Sequence, residues 1–255
     1  MTIDDVISEL QVILGRLKPV LDDQGKRSLE SSIARMVLQA KSSKGGRRHR
    51  DRFPWDLTIP PASPISFRDT TKGEGVKHRV HVDISCHLTR HESGDPKAKH
   101  NICVRVWSRE EAVWYRPLLD AESLGEKIRN GSKRRVMMRF HFDFADVEQG
   151  GPRFHLQIGG KQNSEEEACW HLETLNIPRF PHHPVNLLMV CEFVGRTFYP
   201  VEFAAIRDDA IWKGALGVAQ SSYLVPFFLK SSIFQGLTRA MIRSDESYLA
   251  TVWNT

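Results

Sequence analysis

Residues 139–158 read RFHFDFADVEQGGPRFHLQI, and both ends of this stretch carry the same alternation of polar and apolar side chains. Residues 139–144 (RFHFDF) and residues 153–158 (RFHLQI) each begin with Arg and place His two positions later. A period of two is typical of a β-strand with one buried face. Because the intervening segment contains Gly and Pro, we predict two antiparallel strands joined by a hairpin loop.

A third copy of the pattern occurs earlier, at residues 79–84 (RVHVDI). Successive strand side chains point to opposite faces, so each copy sends its polar side chains to one side. Two hairpin registers preserve this sorting. One places Asp143 opposite His155 and His141 opposite Gln157, and the other places His141 opposite His155. The sequence does not determine whether the third copy lies beside them.

Outside this hairpin, polar and apolar residues alternate in several segments up to residue 158, and beyond it the apolar residues follow helical spacing. Alternating segments at 76–88, 101–109, 112–116, 135–145 and 152–158 predict about five strands, with a short helix at 121–130 between them. Helical spacing returns at 165–175, 185–198, 201–218 and 221–242. Strands followed by helices predict an α+β fold. We therefore expect an antiparallel sheet of about five strands, covered on one face by the C-terminal helices.

The N-terminal region reads as a helical hairpin. Apolar residues recur every three or four positions over residues 2–42, Thr2 and Asp5 form a capping-box start, and Pro19 should end the first helix. We place this hairpin at residues 1–43, a basic and Pro-rich linker at 44–66, and the main α+β domain at 67–255.

Composition and charge exclude several classes of protein. The chain has 255 residues, of which 40% are hydrophobic, so it can build a packed core. The net charge is +5, and residues 44–52 (KGGRRHRDR) supply most of it. This segment is either a solvated linker or a site that attracts phosphate backbones.

The sequence contains no apolar run long enough for a transmembrane helix, and its N-terminus is acidic where a secretory signal would be basic. We therefore expect no membrane association and a cytoplasmic location. It also lacks a Walker-type phosphate loop, a dinucleotide-binding glycine fingerprint, a kinase signature and a nucleophile elbow. Function must be inferred from the repeated strand pattern.

That pattern suits cleavage of a phosphodiester without a metal. One imidazole would act as general base and the other as general acid, while guanidinium groups neutralise the phosphate. We assign catalysis to His141, His155 and Asp143, and phosphate binding to Arg139, Arg153 and Gln157. Additional site residues are Arg79, His81 and Asp83 from the third copy, and His182 and His183 if their loop crosses the sheet.

No cofactor is expected, although a divalent metal is an alternative. His141, Asp143 and His155 would then be its ligands, with Asp83 or His81 completing the set. Two neighbouring arginines disfavour a cation and favour a phosphate.

The sequence thus predicts an RNase-like phosphodiester hydrolase whose partner is a nucleic acid or nucleotide. The alternative is a non-catalytic subunit of a multiprotein assembly. It would associate with itself or with a protein partner through residues 1–42 and the aromatic C-terminal helices, and its polar sheet face would be solvated exterior.

Overall fold

A computed structural model gives the fold of the chain. The structure describes residues 2–42, 54–70, 80–90, 100–108, 135–144, 154–159 and 179–230, except for the side chains of residues 108, 135–137, 179 and 226–230. Four predicted features lie outside the described residues: the basic segment 44–52, a strand at 112–116, a helix at 121–130 and a helix at 165–175.

The described residues form seven strands in one antiparallel sheet. The strands are β1 (Trp55–Ile59), β2 (Ile65–Ser66), β3 (Val80–Arg90), β4 (His100–Ser108), β5 (Arg135–Phe144), β6 (Phe154–Ile158) and β7 (Arg179–Pro181). Their order is β1-β3-β4-β5-β6-β7, and β2 pairs with β3.

The predicted α+β class with an antiparallel sheet is confirmed. Seven strands occur among the described residues, where the sequence predicts about five. The difference includes β1 and β2, which lie within the range 44–66 assigned to a linker. The prolines that suggested a linker flank these two strands without interrupting them, and short edge strands tolerate neighbouring prolines.

The described residues also form five helices. These are α1 (Ile3–Leu17), α2 (Asp23–Ser42), α3 (Leu187–Phe198), α4 (Pro200–Asp208) and α5 (Ala210–Lys230). The predicted capping box is present, because Asp5 N donates to Thr2 Oγ1 at 3.1 Å and Thr2 N donates to Asp5 Oδ2 at 2.6 Å. α1 ends at Leu17, two residues before Pro19, which cannot donate a helical hydrogen bond.

The break between α4 and α5 lies earlier than the sequence predicts. It falls at Asp209, whereas the hydrophobic pattern placed it after residue 218. The Asp209 carboxylate accepts hydrogen bonds from the backbone N–H groups of Ile211 and Trp212, each at 3.0 Å. A capping aspartate therefore starts a new helix where the hydrophobic spacing continues unchanged.

One face of the sheet is apolar and forms the core together with the helices. Buried apolar side chains on this face include Val82, Ile84, Leu88, Ile102, Val104 and Val106. The Phe193 ring on α3 meets Phe140 at 5.3 Å and Phe142 at 6.1 Å, both edge-on. Because α1 packs against α2, α3 and α5, helices from both ends of the described chain share this core.

Helix α2 protects the outer edge of the sheet. The Gln39 side chain accepts a hydrogen bond from Asp56 N at 3.1 Å and donates one to Asp56 O at 2.8 Å. Arg35 donates to Thr58 O at 2.6 Å. These side chains satisfy backbone groups of β1 that would otherwise offer an edge for pairing with another chain.

Helix α2 also approaches β2 very closely at Gly25. A Cβ atom at this position would lie 2.1 Å from Ser66 O. The approach is held by Asp22, which accepts hydrogen bonds from Gly25 N at 2.8 Å and from Ser66 Oγ at 2.5 Å. Only glycine leaves room for this contact between two backbones.

We expect Gly25→Ala to destabilise the protein by about 3 kcal/mol or more, because the added methyl group must push β2 away from α2. Urea unfolding measures this change. The control is Gly15→Ala on α1, where an added methyl group would meet no atom within 4 Å and should stabilise by about 0.5–1 kcal/mol. Equal stability of the two variants would contradict the close approach.

Glu9 links α1 to the start of α3. It accepts hydrogen bonds from Leu188 N at 3.1 Å and from Asn186 Nδ2 at 2.6 Å. Asn186 itself caps α3 by accepting from Met189 N at 2.9 Å. Burial raises the pKa of Glu9 to about 7, against an ordinary value of 4.5. The folded protein therefore retains this proton at a pH where the unfolded chain has lost it.

Glu9 should make stability fall as the pH rises. Between pH 4.5 and 7 the folded state binds more protons than the unfolded state, which costs roughly 3 kcal/mol by pH 7. Glu9→Gln should lack this loss, and Glu30→Gln, at an exposed position on α2, should retain it. Chemical denaturation across this pH range measures the difference. If the unfolding free energies of the wild-type protein and both variants change in parallel with pH, Glu9 does not titrate in this way.

Candidate functional site

The pairing of β5 with β6 selects one of the two registers that the sequence leaves open. Asp143 lies opposite His155, and His141 lies opposite Gln157. Opposed residues in an antiparallel pair have Cβ atoms roughly 4.5–5.5 Å apart. This hairpin therefore brings the two imidazoles, the carboxylate and the amide to one side of the sheet.

Strand β4 separates the third copy of the pattern from the other two. It lies between β3 and β5, so β3 is about 10 Å from β5. β4 also contributes polar side chains. Arg105 lies between Asp83 and Arg139, and Cys103 lies opposite His141.

We call the charged, histidine, amide and thiol side chains on this side of β4, β5 and β6, together with Asp83 of β3, the polar face. Its members are Asp83, Asn101, Cys103, Arg105, Arg139, His141, Asp143, His155 and Gln157. His81, Ser85 and His87 lie on the same side of β3, with β4 between them and β5. Sequence reasoning missed the three from β4, Asn101, Cys103 and Arg105. They alternate with apolar residues as the others do, so strand parity was the signal that could have found them.

Much of the polar face is shielded from water. Arg139 and His155 are each 3% exposed, Asp83 is 4% exposed and Arg105 is 7% exposed. A solvated sheet face, which the sequence left open as an alternative, would expose such side chains. Charges shielded from water interact more strongly than charges at a surface, so their neighbours determine their protonation.

Asp83 is occupied by a hydrogen-bond network. It accepts from Arg105 Nε at 2.7 Å and from Trp107 Nε1 at 2.6 Å. Arg105 also donates to Pro61 O at 3.1 Å, and its guanidinium carbon lies 5.3 Å from the centre of the Trp107 ring. Burial raises the pKa of Asp83, and Arg105 opposes that rise. One carboxylate oxygen of Asp83 thus holds Arg105, and the other holds Trp107.

His81, on the same strand as Asp83, joins the segment between β2 and β3. Its Nε2 lies 3.1 Å from Ser66 Oγ, and its Nδ1 lies 3.3 Å from Asp69 Oδ1. The side chain is opposite Trp107 and one strand removed from β5. His81 therefore holds the strand connection together rather than joining His141 and His155. Arg79, also predicted here, lies outside the described residues.

His141 is held in its neutral form. Burial lowers its pKa to about 4, and the positive charges of Arg139, Arg105 and His155 contribute to this lowering. Its Nε2 lies 3.8 Å from Cys103 Sγ. Burial also raises the pKa of Cys103 to about 12, so this sulfur remains a thiol and a poor nucleophile. At neutral pH, His141 is therefore a proton acceptor.

The remaining members of the polar face surround His141. Asn101 donates a hydrogen bond to Asp143 Oδ1, which orients that carboxylate on the side facing His155. Arg139 lies two residues before His141 on β5 and opposite Arg105 on β4. Two guanidinium groups thus flank one end of the face. Arg153, the second predicted phosphate clamp, lies outside the described residues.

The described residues do not assemble a metal centre. Among them, no group of three or more His, Cys, Asp and Glu side chains is arranged to hold a metal ion. The alternative ligand set of His141, Asp143 and His155 is therefore not arranged as a metal site, although Asp143 lies opposite His155.

His182 and His183 lie on the opposite side of the sheet. They follow β7, and the His182 ring meets the ring of Phe142, an apolar-face residue, at 5.4 Å. The two imidazoles are 4.2 Å apart. Their loop therefore does not bring them to the polar face.

Comparison of the chain with protein-family models, curated proteins and solved structures finds no match. Among the helices that the structure describes, none is both long and apolar enough to span a membrane.

We expect the His141 imidazole to titrate near pH 4 in the folded protein, which NMR can follow. The control is the urea-unfolded chain, where its midpoint should return to about 6.5. Since the unfolded state then binds this proton first, His141 should reduce stability as the pH falls from about 6.5 to 4. A folded-state midpoint at about 6 or above would contradict the burial of this ring.

Proposed function

We propose that the polar face binds and cleaves a phosphodiester of nucleotide size. The observation that carries this proposal is the register of β4, β5 and β6, which aligns Arg105, Arg139, His141, Asp143 and His155 on one face. Residues at diagonal positions on neighbouring strands are roughly 7–8 Å apart, so His141 and His155 can stand on either side of one phosphate.

In the proposed reaction, neutral His141 takes the proton from a ribose 2′-hydroxyl. The 2′-oxygen attacks phosphorus, the bond to the 5′-oxygen breaks, and His155 gives its proton to that leaving oxygen. The product is a 2′,3′-cyclic phosphate and a free 5′-hydroxyl. His141 enters the reaction as the base because its pKa lies well below neutrality.

The basic side chains supply the electrostatic part of this proposal. Arg139 and Arg105 make the potential around His141 positive, which is the reason they lower its pKa. The same potential would stabilise a phosphorane, whose negative charge grows in the transition state. Asp143, opposite His155, would orient that imidazole.

A ribodinucleotide with a 3′,5′-linkage tests this function directly. We expect the protein to cleave it, to leave the 2′-deoxy analogue intact and to work in the presence of a chelator. His141→Ala and His155→Ala should each lower the rate roughly 100- to 10,000-fold. His182→Ala is the control, because the His182 ring meets Phe142 on the opposite side of the sheet.

Chromatographic separation of the cyclic phosphate and the nucleoside measures the rate, and matched unfolding curves establish that the variants are folded. Full activity in both histidine variants would contradict the assignment of His141 as the base and His155 as the acid. Cleavage of the deoxy analogue would remove the role of the 2′-hydroxyl.

The second candidate function is docking of a protein partner. It is favoured by exposed apolar residues on α4 and α5, since Val201 is 81% exposed and Val218 is 68% exposed. The apolar stripe of α1, including Ile3, Leu10 and Ile13, is buried within its own chain. Docking would therefore use the outer side of α4 and α5 in preference to residues 1–42. An inactive wild-type protein that forms a stable complex would favour this alternative.

A further inference from the structure

The apolar side of β5 and β6 carries a cavity that the proposed hydrolysis does not use. Its volume is about 340 Å³. Phe140, Phe142 and Leu156 form its floor, and Val190 and Phe193 of α3 form one wall. Protein interiors rarely leave voids larger than a water molecule, so a space of this size is unusual as a packing defect. It lies at the lower end of the range for small-molecule pockets.

One end of the cavity reaches the surface. At this end the lining residues Arg196 and Thr197 are exposed, and Gln220 of α5 is half-buried. At the inner end, Phe142 and Val190 are buried. A ligand can therefore enter at the end formed by α3 and α5. Its apolar part would then displace water from the aromatic floor, which favours binding.

The charged side chains in the wall beside the entrance, Glu192 and Arg196, neutralise each other. Glu192 accepts a hydrogen bond from Trp212 Nε1 at 2.6 Å and forms an ion pair with Arg196. Both carboxylate oxygens are thus engaged by groups of the protein itself. Because burying an unpaired charge is costly, this wall suits a neutral ligand.

His182 and His183 give the cavity two hydrogen-bond acceptors. Nδ1 of His182 lies 2.6 Å from His183 O, and Nδ1 of His183 lies 3.2 Å from Pro184 O. A carbonyl oxygen only accepts, so each Nδ1 carries a proton and donates. Burial lowers the pKa of both rings and favours their neutral form. In each neutral ring, Nε2 is then the unprotonated acceptor.

We propose that this cavity binds a neutral, compact aromatic compound whose hydroxyl group donates a hydrogen bond to Nε2 of His182 or His183. The size agrees with a two-ring molecule, because an apolar cavity of about 150 Å³ is enough for benzene. The site is independent of the proposed function, since its floor residues alternate with the polar face and point to the opposite side.

Calorimetric titration with 2-naphthol tests the site, and 2-methoxynaphthalene serves as the matched probe without a donor. We expect one equivalent of 2-naphthol to bind at least ten-fold more tightly than the ether. Replacing both histidines, as His182→Phe with His183→Phe, should remove this preference. Equal binding of the two probes to the natural protein would overturn the proposed hydrogen bond.

A pair of tryptophan variants on α5 locates the binding. Leu216→Trp should fill the cavity and weaken 2-naphthol binding at least ten-fold, while Val218→Trp, two residues away at an exposed position, should leave it unchanged. If Leu216→Trp does not fold, Gln220→Trp at the entrance makes the same test. Equal effects of the cavity and control variants, or no binding of 2-naphthol at millimolar concentration, would overturn the site. Neither result bears on phosphodiester cleavage, which is assayed separately.

Discussion

The register of β4 between β3 and β5 is the constraint on which both sides of the sheet depend. Successive side chains of a strand point to opposite faces of the sheet, so the alignment of one residue determines the face on which every other residue lies. In this alignment Arg105 meets Asp83 on one neighbour and Arg139 on the other. A slip of one residue would turn these charges into the apolar core, where no water would solvate them.

Shielding of the polar face from water gives its side chains unequal roles. Asp83, Arg105 and Trp107 satisfy one another through hydrogen bonds and hold the strands in place. His141 lies at the edge of this network and is kept neutral by burial and by the same arginines. The protonation of His141 thus depends partly on a charge, that of Arg105, which this hydrogen-bond network holds in place.

The two sides of β5 and β6 offer different chemistry from one short sequence pattern. The residues that face the helices are aromatic or aliphatic and form the floor of a neutral cavity. Those between them carry the charges and imidazoles of the polar face. The proposed phosphodiester site and the proposed cavity site therefore lie on opposite faces of the same two strands, one polar and the other apolar.

Features that arise between near neighbours in the chain can be predicted from the amino-acid sequence. Strand parity gave the common face of His141, Asp143 and His155, and the Thr2–Asp5 pair gave the start of α1, because these depend on spacing of only a few residues. Three other features are visible only in the folded chain: β4 separates β3 from β5, Gln39 of α2 covers the edge of β1, and His182 lies on the apolar side of the sheet. Strand order and burial depend on contacts between distant segments, and alternation along one strand contains no information about which strand lies beside it.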